Sequence, residues 1–157
     1  MFRILFVCTG NICRSPMAEA VLKHLVSERG LEDKIKVDSA GMISYHAGEN
    51  IDERAREELK KNGIEFQGRA RQVEVADFNE FDLIIGMTKE HVDELIYRMG
   101  SVADREKVKL FLDFTDKWKG QDVPDPYYMD NFGEVYMMIE DGCKQVLECA
   151  QTRLTKL

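Results

Sequence analysis

The chain has 157 residues, 44% hydrophobic and 32% charged, with 22 Lys plus Arg against 29 Asp plus Glu and a formal net charge of -7. That length is expected to make one domain over residues 1–157 with a real apolar core, which excludes wholesale disorder, and the acid excess excludes a broad basic surface for nucleic acid. Apolar runs such as Ile4 to Cys8 are too short to cross a bilayer, four cysteines are too few for a disulfide-built secreted domain, and no signal-peptide pattern opens the chain, so a cytoplasmic, reducing setting with no membrane partner is expected.

Phe2-Arg3-Ile4-Leu5-Phe6-Val7 predicts a buried strand, and a glycine turn leads from it into a helix over about Ser15 to Arg29. Ser15 is a natural N-cap, Pro16 suits the first helical position, and Gly30 is a C-terminal stop. Val21, Leu22 and Leu25 give that helix an apolar face. Ile35-Lys36-Val37 predicts a second strand. A helix over about Asp52 to Asn62 follows, with Asn50 and Glu53 in capping-box positions and Gly63 past its end. Phe81 to Met87 reads as a third strand, after which Thr88 caps a helix carrying Val92, Leu95 and Ile96. Lys107 to Leu112 alternates as a fourth strand. From about Asn131 a long helix presents Val135, Ile139, Cys143, Val146 and Leu147 along one stripe.

Strand–helix alternation implies parallel strands joined by right-handed crossovers, an α/β architecture with helices on both faces. Ligands in such sheets bind beyond the carboxyl ends of the strands. The loop after the first strand is therefore the place to look for chemistry.

That loop reads Cys8-Thr9-Gly10-Asn11-Ile12-Cys13-Arg14-Ser15-Pro16. Gly10 and Asn11 tolerate positive φ, so the loop can curl, and the helix behind it aims free N–H groups and a positive dipole end into the curl. This is a nest for a tetrahedral dianion such as phosphate or a similar oxyanion, built by Thr9, Gly10, Asn11, Ile12, Cys13, Arg14 and Ser15. The same helix end and Arg14 favour a thiolate at Cys8. Arg14 offers a planar fork for two phosphoryl oxygens, and the Ser15 hydroxyl can donate to the sulfur. A cysteine at a strand end is most often a small buried hydrophobe. Here it coincides with the arginine, the turn residues and the helix start, and the coincidence favours a nucleophile. His24, His46 and His91 form no zinc spacing, and the Gly-Lys-Ser/Thr of a nucleotide loop is absent.

Cleaving a phosphate ester puts charge on the leaving oxygen, which calls for an acid. Asp125 in Val123-Pro124-Asp125-Pro126-Tyr127-Tyr128 is the best candidate, since two prolines stiffen its backbone and the segment can overhang the nucleophile loop. Tyr127 and Tyr128 can wall a phenyl ring. Cys13, five residues from Cys8 on a curled loop, can trap an oxidised Cys8 as a disulfide; Cys143 and Cys149 on the last helix read as packing thiols.

The Cys8-to-Pro16 loop and Asp125-Pro126-Tyr127-Tyr128, with Val37-Asp38-Ser39-Ala40-Gly41 and Ala70-Arg71-Gln72, resemble the low-molecular-weight protein tyrosine phosphatases over nearly the whole chain. The resemblance implies a three-layer, flavodoxin-like fold with a four-stranded parallel sheet, and a two-step mechanism with no metal and no cofactor. Cys8 attacks phosphorus, Arg14 binds the phosphoryl group, and Asp125 first protonates the phenol and then activates water. Phosphotyrosine-containing proteins or aryl phosphates are the implied substrates. Asn11 and Ser15, with Ser39, would support the loop, while Tyr45 and His46 match a variable loop flanking the crevice. Two positions depart from the family pattern: many relatives have a histidine near Gln67 or Gly68, and often an acid where Thr88 stands.

Three other readings share parts of this pattern. A branch resembling this chain dephosphorylates arginine, with a threonine where Ile12 stands and a single aromatic in the acid loop; Ile12 and the paired tyrosines favour phosphotyrosine. Arsenate reductases share the loop but need further cysteines after the third strand, and Phe81 to Ser101 contains none. A module that only grips phosphorylated partners would have no use for Cys8, Arg14 and Asp125 together.

Overall fold

A computed structural model describes residues 1–100 and 105–156. The first strand, β1 (Phe2–Cys8), lies at the middle of the sheet, with β2 (Ile35–Gly41) on one side and β3 (Leu83–Gly86) then β4 (Val108–Leu110) on the other. All three pairings are parallel. Helices α1 (Arg14–Glu28), α2 (Glu53–Lys61), α3 (Asp77–Glu80) and α4 (Lys89–Met99) lie between the strands, and α5 (Pro126–Met129) and α6 (Phe132–Thr155) follow the last one.

Alternation along the strands divides the core in two. Ile4, Phe6 and Cys8 of β1 and Ile85 of β3 pack with α1 and with the Val135-Ile139-Cys143-Val146-Leu147 stripe of α6. Leu5, Val7 and Ile84 point the other way, against Phe78 of α3 and Leu95 and Met99 of α4. The result is the expected three-layer α/β fold. At Gly142 α6 runs so close to Phe111 that a Cβ would stand 2.4 Å from Cζ of the ring.

Several boundaries differ from the sequence expectation, each for a visible reason. β2 continues through Asp38, Ser39, Ala40 and Gly41 because every residue of β1 finds a partner on it; pairing outweighs the poor strand propensity of that stretch. β4 is short and continues as a 3-10 turn over Phe111–Phe114, since Phe111 and Leu112 are both buried in the same core, which strand alternation forbids. Asp52, rather than an Asn50–Glu53 box, caps α2 by accepting from Arg54 N–H at 2.9 Å; Asn50 instead bridges to Arg69. Ser15 is not an N-cap: α1 starts at Arg14, Cys13 precedes it without a side-chain cap, and Pro16 falls two residues inside the helix. Thr88 caps α4 by accepting from His91 N–H at 3.1 Å, and Gly30 ends α1 at φ +66°. The four-residue α3 and α5 are too short to show a helical period.

Among the described residues no helix is long and apolar enough to cross a membrane. The carboxyl ends of β1, β3 and β4 open on one edge of the sheet. Val123 is tied to that edge by its N–H, which donates to Met87 O at 3.0 Å, so the segment leading to Asp125 hangs over the loop after β1.

Candidate active site

The loop between β1 and α1 is held in its curl by Asn11, which sits at φ +59°. Its N–H points at Cys8 Sγ at 3.3 Å. Its side-chain amide donates to Ser15 Oγ at 2.8 Å and to Ser39 Oγ at 2.9 Å, and its Oδ1 accepts from the Arg71 N–H at 3.0 Å. A left-handed residue with a fully engaged side chain fixes the loop without glycine at that position. Ser39 in turn donates to Glu19 Oε1 at 2.6 Å. Glu19 is buried, and burial raises its pKa against the opposing effect of Lys23 and Ser39. Arg71 is pinned by Asp38 and Asp77, with N–O separations of 3.0 Å to each. Gly68, one of the two departures from the family pattern, lines a small cavity behind Asn11 and Ser39. The Arg71 backbone N–H occupies the Asn11 acceptor nearby.

Cys8 stands 3% exposed at the floor of a crevice. Ser15 Oγ lies 3.0 Å from its sulfur, within reach to donate. Thr9, Gly10, Ile12, Cys13 and Arg14 line the crevice, together with Ile43, His46, Asp125, Tyr127 and Tyr128. Asn11, Ser15 and Ser39 lie behind this lining. The first-turn N–H groups of α1 have no intrahelical acceptor, and Cys13 supplies no side-chain cap, so the helix start is left for an anion.

Arg14 is buried and directed into the site. Its Nη1 donates to Val123 O at 3.0 Å, and its Nη2 faces Asp125 Oδ2 at 3.4 Å and Thr9 Oγ1 at 3.5 Å. Asp125 caps α5, with Oδ1 accepting from the Tyr127 N–H at 3.0 Å, which leaves Oδ2 turned to the crevice. The proline-flanked acid and the arginine, 111 residues apart in sequence, are thus neighbours. Tyr127 and Tyr128 meet edge to face at 5.1 Å, and His46 completes the rim 6.4 Å from the Tyr127 ring. Tyr45 packs its ring on His46 but stands 80% exposed, outside the crevice lining. Cys13 is buried; burial, then the Asp52 carboxylate, raises its thiol pKa.

Sequence reasoning passed over His91. Its Nε2 lies 2.9 Å from Thr9 Oγ1, and burial followed by the Arg14 charge pushes its pKa down to about 4. A signal was available: His91 is in the first turn of a helix that begins at a strand's carboxyl end. Its stability effect has a definite sign. Between pH 6.5 and about 4 the unfolded chain binds a proton that the folded chain refuses, so this contribution is present above pH 6.5 and lost as pH falls to about 4. The full span is about 3 kcal/mol. His91→Gln, which can still reach Thr9 but does not titrate, will therefore show a flatter decline in unfolding free energy over that window. Parallel denaturant curves for parent and variant would argue against a neutral buried imidazole.

The family model for low molecular weight phosphotyrosine protein phosphatases matches residues 3–156. The low molecular weight protein-tyrosine-phosphatase YfkJ of Bacillus subtilis is 45% identical over 152 residues, covering 96% of this chain and 97% of its own. Its crystal structure superposes with a TM-score of 0.92 over 98% of this chain and 96% of that one. A protein tyrosine phosphatase from Entamoeba histolytica, solved with Hepes in its active site, gives a TM-score of 0.90 at 37% identity with both chains fully covered. A Drosophila arginine phosphatase is similar too, with a TM-score of 0.83 and 34% identity over 92% of this chain and 95% of that one. With the family matched across the sheet, the loop and the acid segment alike, the chain belongs to the low molecular weight phosphotyrosine protein phosphatases, a family of hydrolases.

Proposed function

We propose that the protein hydrolyses phosphotyrosine in proteins, and aryl phosphates generally, through a phosphocysteine intermediate. The observation that carries this reading is Cys8 at the floor of one crevice with Arg14 and Asp125 face to face at 3.4 Å above it. Cys8 Sγ attacks phosphorus while Arg14 and the α1 start hold the phosphoryl oxygens. Asp125 gives its proton to the departing phenol. In the second step Asp125 takes a proton from water, which attacks the phosphocysteine, and Ser15 donates to the leaving sulfur. Inorganic phosphate is released, and phosphate or a similar oxyanion would occupy the same nest. Neither metal nor cofactor enters this scheme, and neither nucleic acid nor membrane is a partner in it. A cytoplasmic setting would keep Cys8 reduced.

Dephosphorylation of arginine is the second reading, because an arginine phosphatase is among the similar structures. Ile12 and the paired tyrosines on the crevice wall suit a flat apolar ring better than a guanidinium: among the lining residues Asp125 alone offers a carboxylate, so other guanidinium N–H groups would face apolar surface. In a side-by-side assay phosphotyrosine peptide will be turned over faster than phosphoarginine peptide, by about tenfold or more if two N–H groups go unpaired. A preference for phosphoarginine would reverse the assignment.

Cys13 has a proposed part as well. Peroxide converts the Cys8 thiolate to a sulfenic acid, and condensation with the Cys13 thiol expels water and leaves a reducible disulfide. After a peroxide pulse, Cys13→Ser will regain less activity with dithiothreitol than the parent. Equal recovery would remove Cys13 from the redox scheme.

A further inference from the structure

The turn that carries Asp125 is gripped from outside the crevice by a residue that the chemistry above does not use. Arg54 stands in the first turn of α2, and its guanidinium reaches across to α5. Nη2 donates to Tyr127 O at 3.2 Å, and Nη1 to Asp130 Oδ1 at 3.5 Å. Asp52 holds the fork from its own side, accepting from Nε at 3.2 Å and from Nη2 at 3.1 Å. The flat guanidinium also lies against two rings, its carbon 5.4 Å from the centroid of Tyr127 and 4.8 Å from that of Phe132. A planar cation that stacks and donates in several directions is what arginine supplies and lysine does not.

α5 has four residues and ends at Asp130, at φ +55°. A single turn does not hold itself in place, so its position depends on such outside contacts. Tyr127 joins the grip to the chemistry. Its N–H fixes Asp125 Oδ1 at 3.0 Å, while its carbonyl is fixed by Arg54. Moving Tyr127 therefore swings the carboxyl over the nucleophile.

We propose that Arg54 is a positioning residue for Asp125, clamping the short α5 to α2 so that the carboxyl stays within reach of the departing phenol oxygen. The proposal rests on Asp125 being the general acid. The test compares kcat/KM of the parent, Arg54→Met, Arg54→Lys and Asp125→Ala on two substrates. Dinitrophenyl phosphate has a leaving group that departs without a proton; phenyl phosphate has one that needs it. Methionine keeps bulk between the two rings and removes the donors.

General acid catalysis supplies roughly 10²–10⁴ in rate, and a displaced acid loses part of it. Arg54→Met is expected to lose about tenfold or more on phenyl phosphate and under about twofold on dinitrophenyl phosphate, with Arg54→Lys in between. Adding Asp125→Ala to Arg54→Met should cost phenyl phosphate nothing beyond Asp125→Ala alone, because both act through one group. Both substrates are measured in one preparation, so a partly unfolded variant leaves the ratio unchanged. If Asp125→Ala loses equally on both substrates, the general-acid reading fails. If Asp125→Ala is selective while Arg54→Met lowers both equally or neither, the clamp fails and the acid stands.

Discussion

Cys8→Ser will abolish turnover of phosphotyrosine, by about 10⁴-fold or more, while inorganic phosphate and tungstate still bind. The two halves of this outcome rest on different atoms. Turnover needs an anionic nucleophile that also leaves well, and a hydroxyl in the same place is a poor nucleophile and a poor leaving group. Oxyanion binding needs the α1 start, the curled loop and Arg14. Arg14 is anchored on Val123 O, and the curl is fixed by Asn11 through Ser15, Ser39 and the Arg71 N–H, none of which depends on sulfur. The proposed nucleophile would be an anion beneath the bound dianion, and serine removes that repulsion, so phosphate should bind at least as well as in the parent. Phosphate titration by calorimetry, run beside the activity assay, checks both halves. Full residual activity would end the nucleophile assignment, and lost binding would show that Cys8 builds the nest as well as using it.

The contrast between these atoms also shows what the sequence could disclose. The loop was legible because its chemistry is local: strand, cysteine, turn residues, arginine and helix start all fall between Phe2 and Pro16. The two cores were legible in the strand alternation and in the α6 stripe. Ser15 was misread because a serine before a proline at a helix start looks like a cap. Its hydroxyl is instead committed to Cys8 and Asn11, a demand invisible without the curl. His91 and Arg54 were missed for a related reason. Each acts on a residue more than 70 positions away, Thr9 and Tyr127 respectively, and nothing in the sequence names that distant partner. Asp125 is singled out in sequence because an ester cleaved by a thiolate would require an acid and two prolines mark a rigid place to hold one; the structure puts it in the crevice beside Arg14.

Asp125→Ala is expected to leave the protein folded, since Asp125 is part-exposed and its losses are one cap and one contact with Arg14. Turnover of phenyl phosphate, in contrast, will fall by roughly 10²–10⁴. The shape of the loss is more diagnostic than its size. If Asp125 is the acid, it has to carry a proton when the phenol departs, and its contribution to kcat/KM is lost on the alkaline side. Without the carboxyl that limb disappears. A second signature separates the two steps. On the proposed mechanism the same carboxylate serves as base when water attacks the phosphocysteine, so the variant would hydrolyse that intermediate slowly. With a leaving group that needs no proton, the first step stays fast, and phenol should appear in a burst ahead of phosphate. An unchanged alkaline limb, with no burst, would move the acid–base role to another group on the crevice wall. His46 would then be the next to test, as the imidazole on the rim between Gly10 and Tyr127.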